Sequence, residues 1–205
     1  MKLLVATRSA GKQREATRLL AGSGLEVVFP DDAGMHATPE EERLELQDSF
    51  AANARAKAEY FAKQTGLPTV ADDSGLEVFS LGGEPGVRSR RWAAAQGTEA
   101  EVSAANNAYL LRRLSGAPEG KRRARYRCVL ALYRKPNGIP QYFEGICTGR
   151  ILEAPSGTAG FGYDPLFWSD ELEKSIGEAT DDEKDSVSHR ARAFAQLRAA
   201  LADGC

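Results

Sequence analysis

Along the first half of the chain, short unbroken apolar runs alternate with stretches whose apolar side chains recur every third or fourth residue. Leu3-Leu4-Val5-Ala6 and Leu25-Glu26-Val27-Val28-Phe29 have the length and content of strands, and Pro30 ends the second. Between them a small polar turn, Thr7 to Gly11, leads into a helix near Gln13 to Leu20, with Leu19 and Leu20 on its apolar side. Residues 31–47 are acidic and show no clear period. Phe50, Ala54, Ala58 and Phe61 then fall at helical spacing, which predicts an amphipathic helix. It delivers the chain to a third apolar run, Leu67-Pro68-Thr69-Val70, which ends at Asp72-Asp73 with a Ser74-Gly75 turn following at once.

The second half changes character. Gly82-Gly83-Glu84-Pro85-Gly86 reads as a loop, and Thr98 as the N-cap of a helix with Val102, Ala105, Tyr109 and Leu110 on one face. Tyr126 to Tyr133 and Tyr142 to Cys147 are strands joined through Lys135-Pro136-Asn137-Gly138, a hairpin signal. A glycine-rich stretch, Gly157 to Tyr163, precedes a last helix that starts near Ser188 and buries Ala191, Phe194, Leu197 and Leu201. Strands alternating with helices early and a hairpin late imply an α/β fold, a mixed sheet covered by helices rather than a purely doubly wound one. At 205 residues, without repeats or linkers, the chain fits one domain or one domain with two lobes.

Composition narrows the function classes. A formal net charge of -2 with 27% charged residues leaves no electrostatic footprint for nucleic acid or an anionic membrane. The one basic run, Lys121-Arg122-Arg123-Ala124-Arg125, reads as a solvated strand entrance. Three cysteines (Cys128, Cys147 and Cys205) are an odd number without metal-ligand spacing, which fits reduced cytosol. The apolar run at Met1 to Ala6 is too short for a signal peptide, and no run approaches a membrane span. A cytoplasmic location is the expectation.

The chemistry concentrates at Ala71-Asp72-Asp73-Ser74-Gly75-Leu76. Adjacent carboxylates at a strand end are costly unless a cation or proton compensates them, and Mg2+ held by one or two carboxylates plus substrate phosphates meets that demand. A solvated turn is the alternative. Thr7-Arg8-Ser9-Ala10-Gly11-Lys12 has the parts of a phosphate cradle: small residues, a helix N-terminus behind them and a lysine. It is not a Walker A loop, which would need Gly and Ser or Thr where this chain has Ala6 and Gln13. Gly160-Phe161-Gly162-Tyr163-Asp164-Pro165 offers two flat faces for a base and a carboxylate as polar partner, or else an aromatic-lined bend. Lys184 and Ser188-His189-Arg190 put donors at a helix start, suited to anions or carbonyl oxygens, although any one of them alone reads as a solvated basic residue.

These segments, with Phe50-…-Asn53-Ala54-…-Lys57-Ala58 and Leu81-Gly82-Gly83-…-Pro85-Gly86, occur in an order that resembles the inosine triphosphate pyrophosphatase family over nearly the whole chain. The resemblance implies a single two-lobed domain over residues 1–205, an elongated mixed sheet flanked by helices, a substrate cleft between the lobes and a homodimer. It implies Mg2+-dependent hydrolysis of ITP, dITP or XTP to the monophosphate and pyrophosphate. By position, Asp73 becomes general base and metal ligand and Ser74 a substrate contact, while Thr7, Arg8, Ser9, Ala10, Gly11 and Lys12 hold phosphates with Lys57 nearby. Phe161, Gly162, Tyr163, Asp164, Lys184, His189 and Arg190 take the base and sugar end. Three features depart from the family pattern. Thr7-Arg8-Ser9 replaces Thr-Gly-Asn, Ala52 stands where a glutamate precedes the helix asparagine, and Glu45-Leu46-Gln47 replaces Glu-Thr-Gly. Glu45 is the expected second metal ligand, with Glu41 and Glu42 as rivals, and a nucleotide-binding module with weakened catalysis is the alternative function.

Overall fold

The computed structural model describes residues 1–202, so Cys205 lies outside the described residues. Its strands are β1 (Lys2–Val5), β2 (Glu26–Val28), β3 (Thr69–Val78), β4 (Arg123–Tyr133), β5 (Gln141–Ile151), β6 (Phe167–Ser169) and β7 (Lys174–Ser175). They form one sheet in the order β2-β1-β3-β4-β5-β6-β7. β1 runs parallel to β2 and β3, with Leu4 opposite Thr69, whereas β6 is antiparallel to β5 and β7. The sheet is mixed, as the pattern of elements implies. Its helices are α1 (Ala10–Leu19), α2 (Pro39–Arg43), α3 (Phe50–Thr65), α4 (Glu99–Arg113), α5 (Asp181–Val187) and α6 (His189–Ala202). None of these helices is long and apolar enough to cross a membrane.

The chain divides into two compact units. The first comprises Met1–Asp73, Cys128–Gly145 and the C-terminal stretch from Ala191. Here β1 is apolar from Leu3 to Val5 because both of its faces are covered there: Leu3 and Val5 join Val70, Leu130, Phe194 and Leu197, while Leu4 and the following Ala6 join Ala54, Ala58, Phe61 and Ala71. The period-2 split sends one set to α1 and α6 and the other to α3. The second unit comprises Ser74–Arg127 and Ile146–Arg190. Its core gathers Leu76, Val78, Leu110, Leu114, Tyr126, Ile151, Leu166 and Phe167.

Several elements differ from the sequence expectation. No turn follows Asp73: β3 continues through Ser74 and Gly75 to Val78, because Leu76 and Val78 resume the apolar alternation and bury completely. The first helix begins at Ala10, ahead of Gln13, with Ser9 as its N-cap, so Ala10, Gly11 and Lys12 form its first turn. Inside the acidic stretch lies the short helix α2, with Pro39 at its start. Thr180 and Glu183 form a capping box that starts α5. The basic run is no solvated entrance at Arg122, which is buried and donates to the carbonyl of Leu114 at the end of α4 and to those of Ile151 and Leu152 at the end of β5. Its neighbours Arg123 and Arg125 pair with Asp170 and Glu77.

Candidate functional site

In the first unit, acidic and basic side chains converge around β3. Asp72 and Asp73 are both buried, yet as consecutive strand residues they point to opposite faces of the sheet. Asp72 receives the Lys12 ammonium of α1 at 3.0 Å. Asp73 lies on the α3 side, 3.6 Å from the Lys57 ammonium, and accepts a hydrogen bond from Asn53 Nδ2 at 2.8 Å. Lys57 also donates to Glu45 Oε1 at 2.8 Å. One buried ammonium thus serves two carboxylates from separate parts of the chain.

The protonation states follow from this packing. Burial pushes the Asp73 carboxyl up, against the pull of Lys57, Lys12 and the Asn53 amide. Glu45 moves the other way, from the ordinary 4.5 to about 2, chiefly because of the Lys57 charge. Burial pulls Lys57 down, but Glu45, Asp73 and Asp72 together outweigh it and hold the ammonium charged. Asp73 is therefore the more basic of the two carboxylates facing Lys57.

At the start of α1, Ser9 Oγ accepts the Lys12 N–H, Thr7 Oγ1 accepts the Ser9 N–H, and Gln13 Nε2 binds the Thr7 carbonyl. This fixes a turn whose following N–H groups, those of Ala10 and Gly11, open the helix, the usual place for a phosphate. Arg8 points elsewhere. Its guanidinium holds Glu41, Asp31 and the Met35 carbonyl. Of the rival acidic residues, then, Glu41 belongs to Arg8, while Glu45 shares the Lys57 ammonium with Asp73.

In the second unit, Asp164 organises the aromatic loop. It is buried and accepts from the Phe161 N–H at 2.8 Å, Lys184 Nζ at 2.7 Å and the Tyr126 hydroxyl at 3.2 Å. Burial, then the Asp164 charge, keeps the Tyr126 phenol protonated, as a donor must be. Gly160 has φ +75°, and a Cβ there would lie 2.1 Å from Asp164 Oδ2, so only glycine lets the loop close on this carboxylate. Lys184 and Arg190 stand 4.7 and 5.7 Å from the Phe161 ring centroid. Arg190 donates to Ser74 Oγ at 2.7 Å, and His189 stacks on Tyr126 with the rings 9° from parallel. Tyr163 is buried, its hydroxyl on the Ser89 carbonyl, and Gly162 O accepts from Asn107.

Sequence reasoning gave no role to Asn53, Asn107 or Tyr126. Asn53 is fully buried, and its Oδ1 accepts the Gln47 N–H at 2.9 Å, which turns Nδ2 toward Asp73. Its signal was available: Asn53 lies one helical turn before Lys57, on the same face of α3. Tyr126 was legible only as an apolar strand residue.

A family model described as the Ham1 family matches residues 3–200. A dITP/XTP pyrophosphatase of Frankia alni is 44% identical over 205 residues, covering 98% of this chain and 97% of the relative. One from Thermus thermophilus is 44% identical over 204 residues, covering 100% of this chain and 93% of its own. Among solved structures, a HAM1 protein from Coxiella burnetii superposes with a TM-score of 0.86 at 32% identity over the full length of both chains. A nucleoside-triphosphatase / dITP/XTP pyrophosphatase from Mycobacterium abscessus gives 0.73 at 42% identity, covering 96% of this chain and 98% of that one.

Proposed function

This chain belongs to the Ham1 family, and from that premise we propose that it hydrolyses non-standard purine nucleoside triphosphates (ITP, dITP and XTP) to the monophosphate and pyrophosphate. The observation that carries the reading is the convergence of Asp73 and Glu45 on one buried ammonium, with Lys12 close by on Asp72. Relatives 44% identical over nearly the whole chain bear the name dITP/XTP pyrophosphatase, which supports the substrate class.

The donor set fits Mg2+. Asp73 and Glu45 offer hard oxygens at a point that already attracts a cation, and two carboxylates plus triphosphate oxygens are the usual supply for that ion. In this reading the triphosphate oxygens complete the set begun by the two carboxylates. Bound there, the ion would supply charge neutralisation of the triphosphate and polarise the phosphoryl group. Lys12 and Lys57 add positive charge for the phosphates, and the N-terminus of α1 presents backbone N–H groups to them. Asp73 accepts the proton of the attacking water, a role suited to the carboxylate whose burial raises its basicity. Phe161 takes the base against its ring, while Lys184, His189, Arg190 and Ser74 supply polar contacts to base and sugar. The working form we propose is a cytoplasmic homodimer, supported by the family resemblance.

The test is pyrophosphate release from ITP, XTP, dITP, ATP and GTP, with Mg2+ and with chelator, resolved by phosphorus NMR. IMP and pyrophosphate from ITP, only with Mg2+, is expected. IDP with orthophosphate would overturn the mechanism, and tight binding of ITP without turnover would make the chain a binding module.

A further inference from the structure

Residues 31–45 carry Glu45 toward Lys57 with little apolar anchoring: no residue from 31 to 49 is buried, and of these Ala33 and Met35 pack against a core cluster. Polar anchors hold the segment instead. Lys57 fixes one end at Glu45. Arg8 grips the middle, its Nε and Nη2 bonding both oxygens of Glu41 at 2.6 and 2.8 Å, Nη1 reaching Asp31 at 2.6 Å and Nη2 the Met35 carbonyl at 3.0 Å, while Thr38 meets the Tyr60 hydroxyl at 3.5 Å and Gln47 N–H binds Asn53 just beyond Glu45. The forked pair is largely shielded, with the Arg8 side chain 24% exposed and Glu41 15%. A planar guanidinium is the group that grips a carboxylate this way, and lysine could not replace it. Arg8 itself stands between Thr7 and Ser9, in the turn that caps α1.

We propose that Arg8 is a positioning residue that fastens residues 31–45, and through them Glu45, to the phosphate-holding turn, and that it does not contact the substrate phosphates. This rests on the proposed reading, in which Glu45 is the second metal carboxylate. A guanidinium committed to Glu41, Asp31 and a carbonyl is satisfied without an anion from outside. Loosening it leaves the phosphate turn intact, because that turn is closed by Ser9, Thr7 and Gln13. What suffers is the placement of Glu45, four residues beyond Glu41.

Arg8→Ala, Glu41→Gln and the double variant test this. Supporting groups of this kind cost roughly 10- to 100-fold in metal affinity or activity when removed. Each single variant should raise the Mg2+ concentration for half-maximal pyrophosphate release by about tenfold, with KM for ITP at saturating Mg2+ nearly unchanged. The double variant should be no worse than Arg8→Ala alone, since that change already removes the fork on Glu41. In the metal-free, nucleotide-free protein, hydrogen exchange should quicken in peptides spanning 31–45 and not in those spanning α1. A rise in KM at saturating Mg2+ for Arg8→Ala, with Glu41→Gln like wild type, would assign Arg8 to the phosphates and overturn the proposal. Unchanged exchange in 31–45 would overturn it as well. If wild type released no pyrophosphate, the functional reading would fall, while the exchange measurement would still decide whether Arg8 holds the segment.

Discussion

Asp73 and Glu45 face one ammonium, and their environments drive them apart: burial raises the first, while Lys57 lowers the second to about 2. That separation supports base and charge-holder roles for two residues of the same chemistry. Asp73→Asn keeps the shape and the Asn53 neighbour but cannot take a proton, and it binds metal less well. Turnover of ITP should fall by roughly 10²–10⁴-fold, the range for a lost general base, with thermal stability retained; a variant keeping more than about a tenth of the rate would move the base to another group. Glu45 makes a separate, metal-free prediction. Its folded pKa lies below the unfolded value of 4.5, so its contribution to stability is fully present above 4.5 and disappears as pH falls through about 2. Asp73, shifted up, has the opposite sign and favours the protonated folded form. Glu45→Gln should therefore lessen the loss of stability between pH 4.5 and 2 in acid-unfolding curves, an effect tempered because the Glu45 side chain is 37% exposed. Curves of equal steepness for variant and wild type would mean that Lys57 does not hold Glu45 when the metal is absent.

The elements carrying these residues were legible to different degrees, for physical reasons. Helix α3 was plain because Phe50, Ala54, Ala58 and Phe61 mark one face at helical spacing, and the Thr98 cap of α4 was equally clear. Strand β3 was misread at Asp73, where local chemistry suggests a turn. Pairing in the sheet and burial of Leu76 and Val78 override that preference. Helix α5 carried the signal Thr180-x-x-Glu183, but its seven residues contain too few apolar side chains to show a period. The Arg8–Glu41 fork spans 33 residues and no local pattern announces it. Asp164 was legible as a candidate polar partner for a ligand, and not as the acceptor that closes its own loop. That loop gives the prediction at this scale. Gly160→Ala combines a positive φ with a Cβ 2.1 Å from Asp164 Oδ2, so Asp164 must release the Phe161 N–H or Lys184. KM for ITP should rise at least severalfold while Mg2+ dependence stays as in wild type. An unchanged KM would show that the Phe161 loop does not hold the base.

For the molecule as a whole, the two units carry different chemistry, and this predicts two classes of variant. Lys12, Lys57, Glu45 and Asp73 belong to the first unit, and everything they offer suits phosphates and a cation, groups common to every nucleoside triphosphate. Phe161, Lys184, His189 and Arg190 belong to the second, and in the proposed reading they take the purine ring. An enzyme that removes a rare nucleotide in the presence of abundant ATP must discriminate at the purine 6 position. Arginine only donates hydrogen bonds, so in the proposed reading Arg190 would favour a 6-keto oxygen over a 6-amino group, which would set donor against donor. A buried donor left unpaired costs about 1–3 kcal/mol, or roughly one to two factors of ten in kcat/KM. Arg190 is buried and its guanidinium already holds Ser74, which fixes its aim. Arg190→Ala should thus lower kcat/KM for ITP far more than for ATP and narrow the ratio between them. Lys12→Ala should lower both by a similar factor and leave the ratio intact, because the phosphates it serves are the same. Equal losses for ITP and ATP in Arg190→Ala would place Arg190 with the phosphates or the packing, and selection against adenine would have to lie with Lys184, His189 or the Phe161 loop.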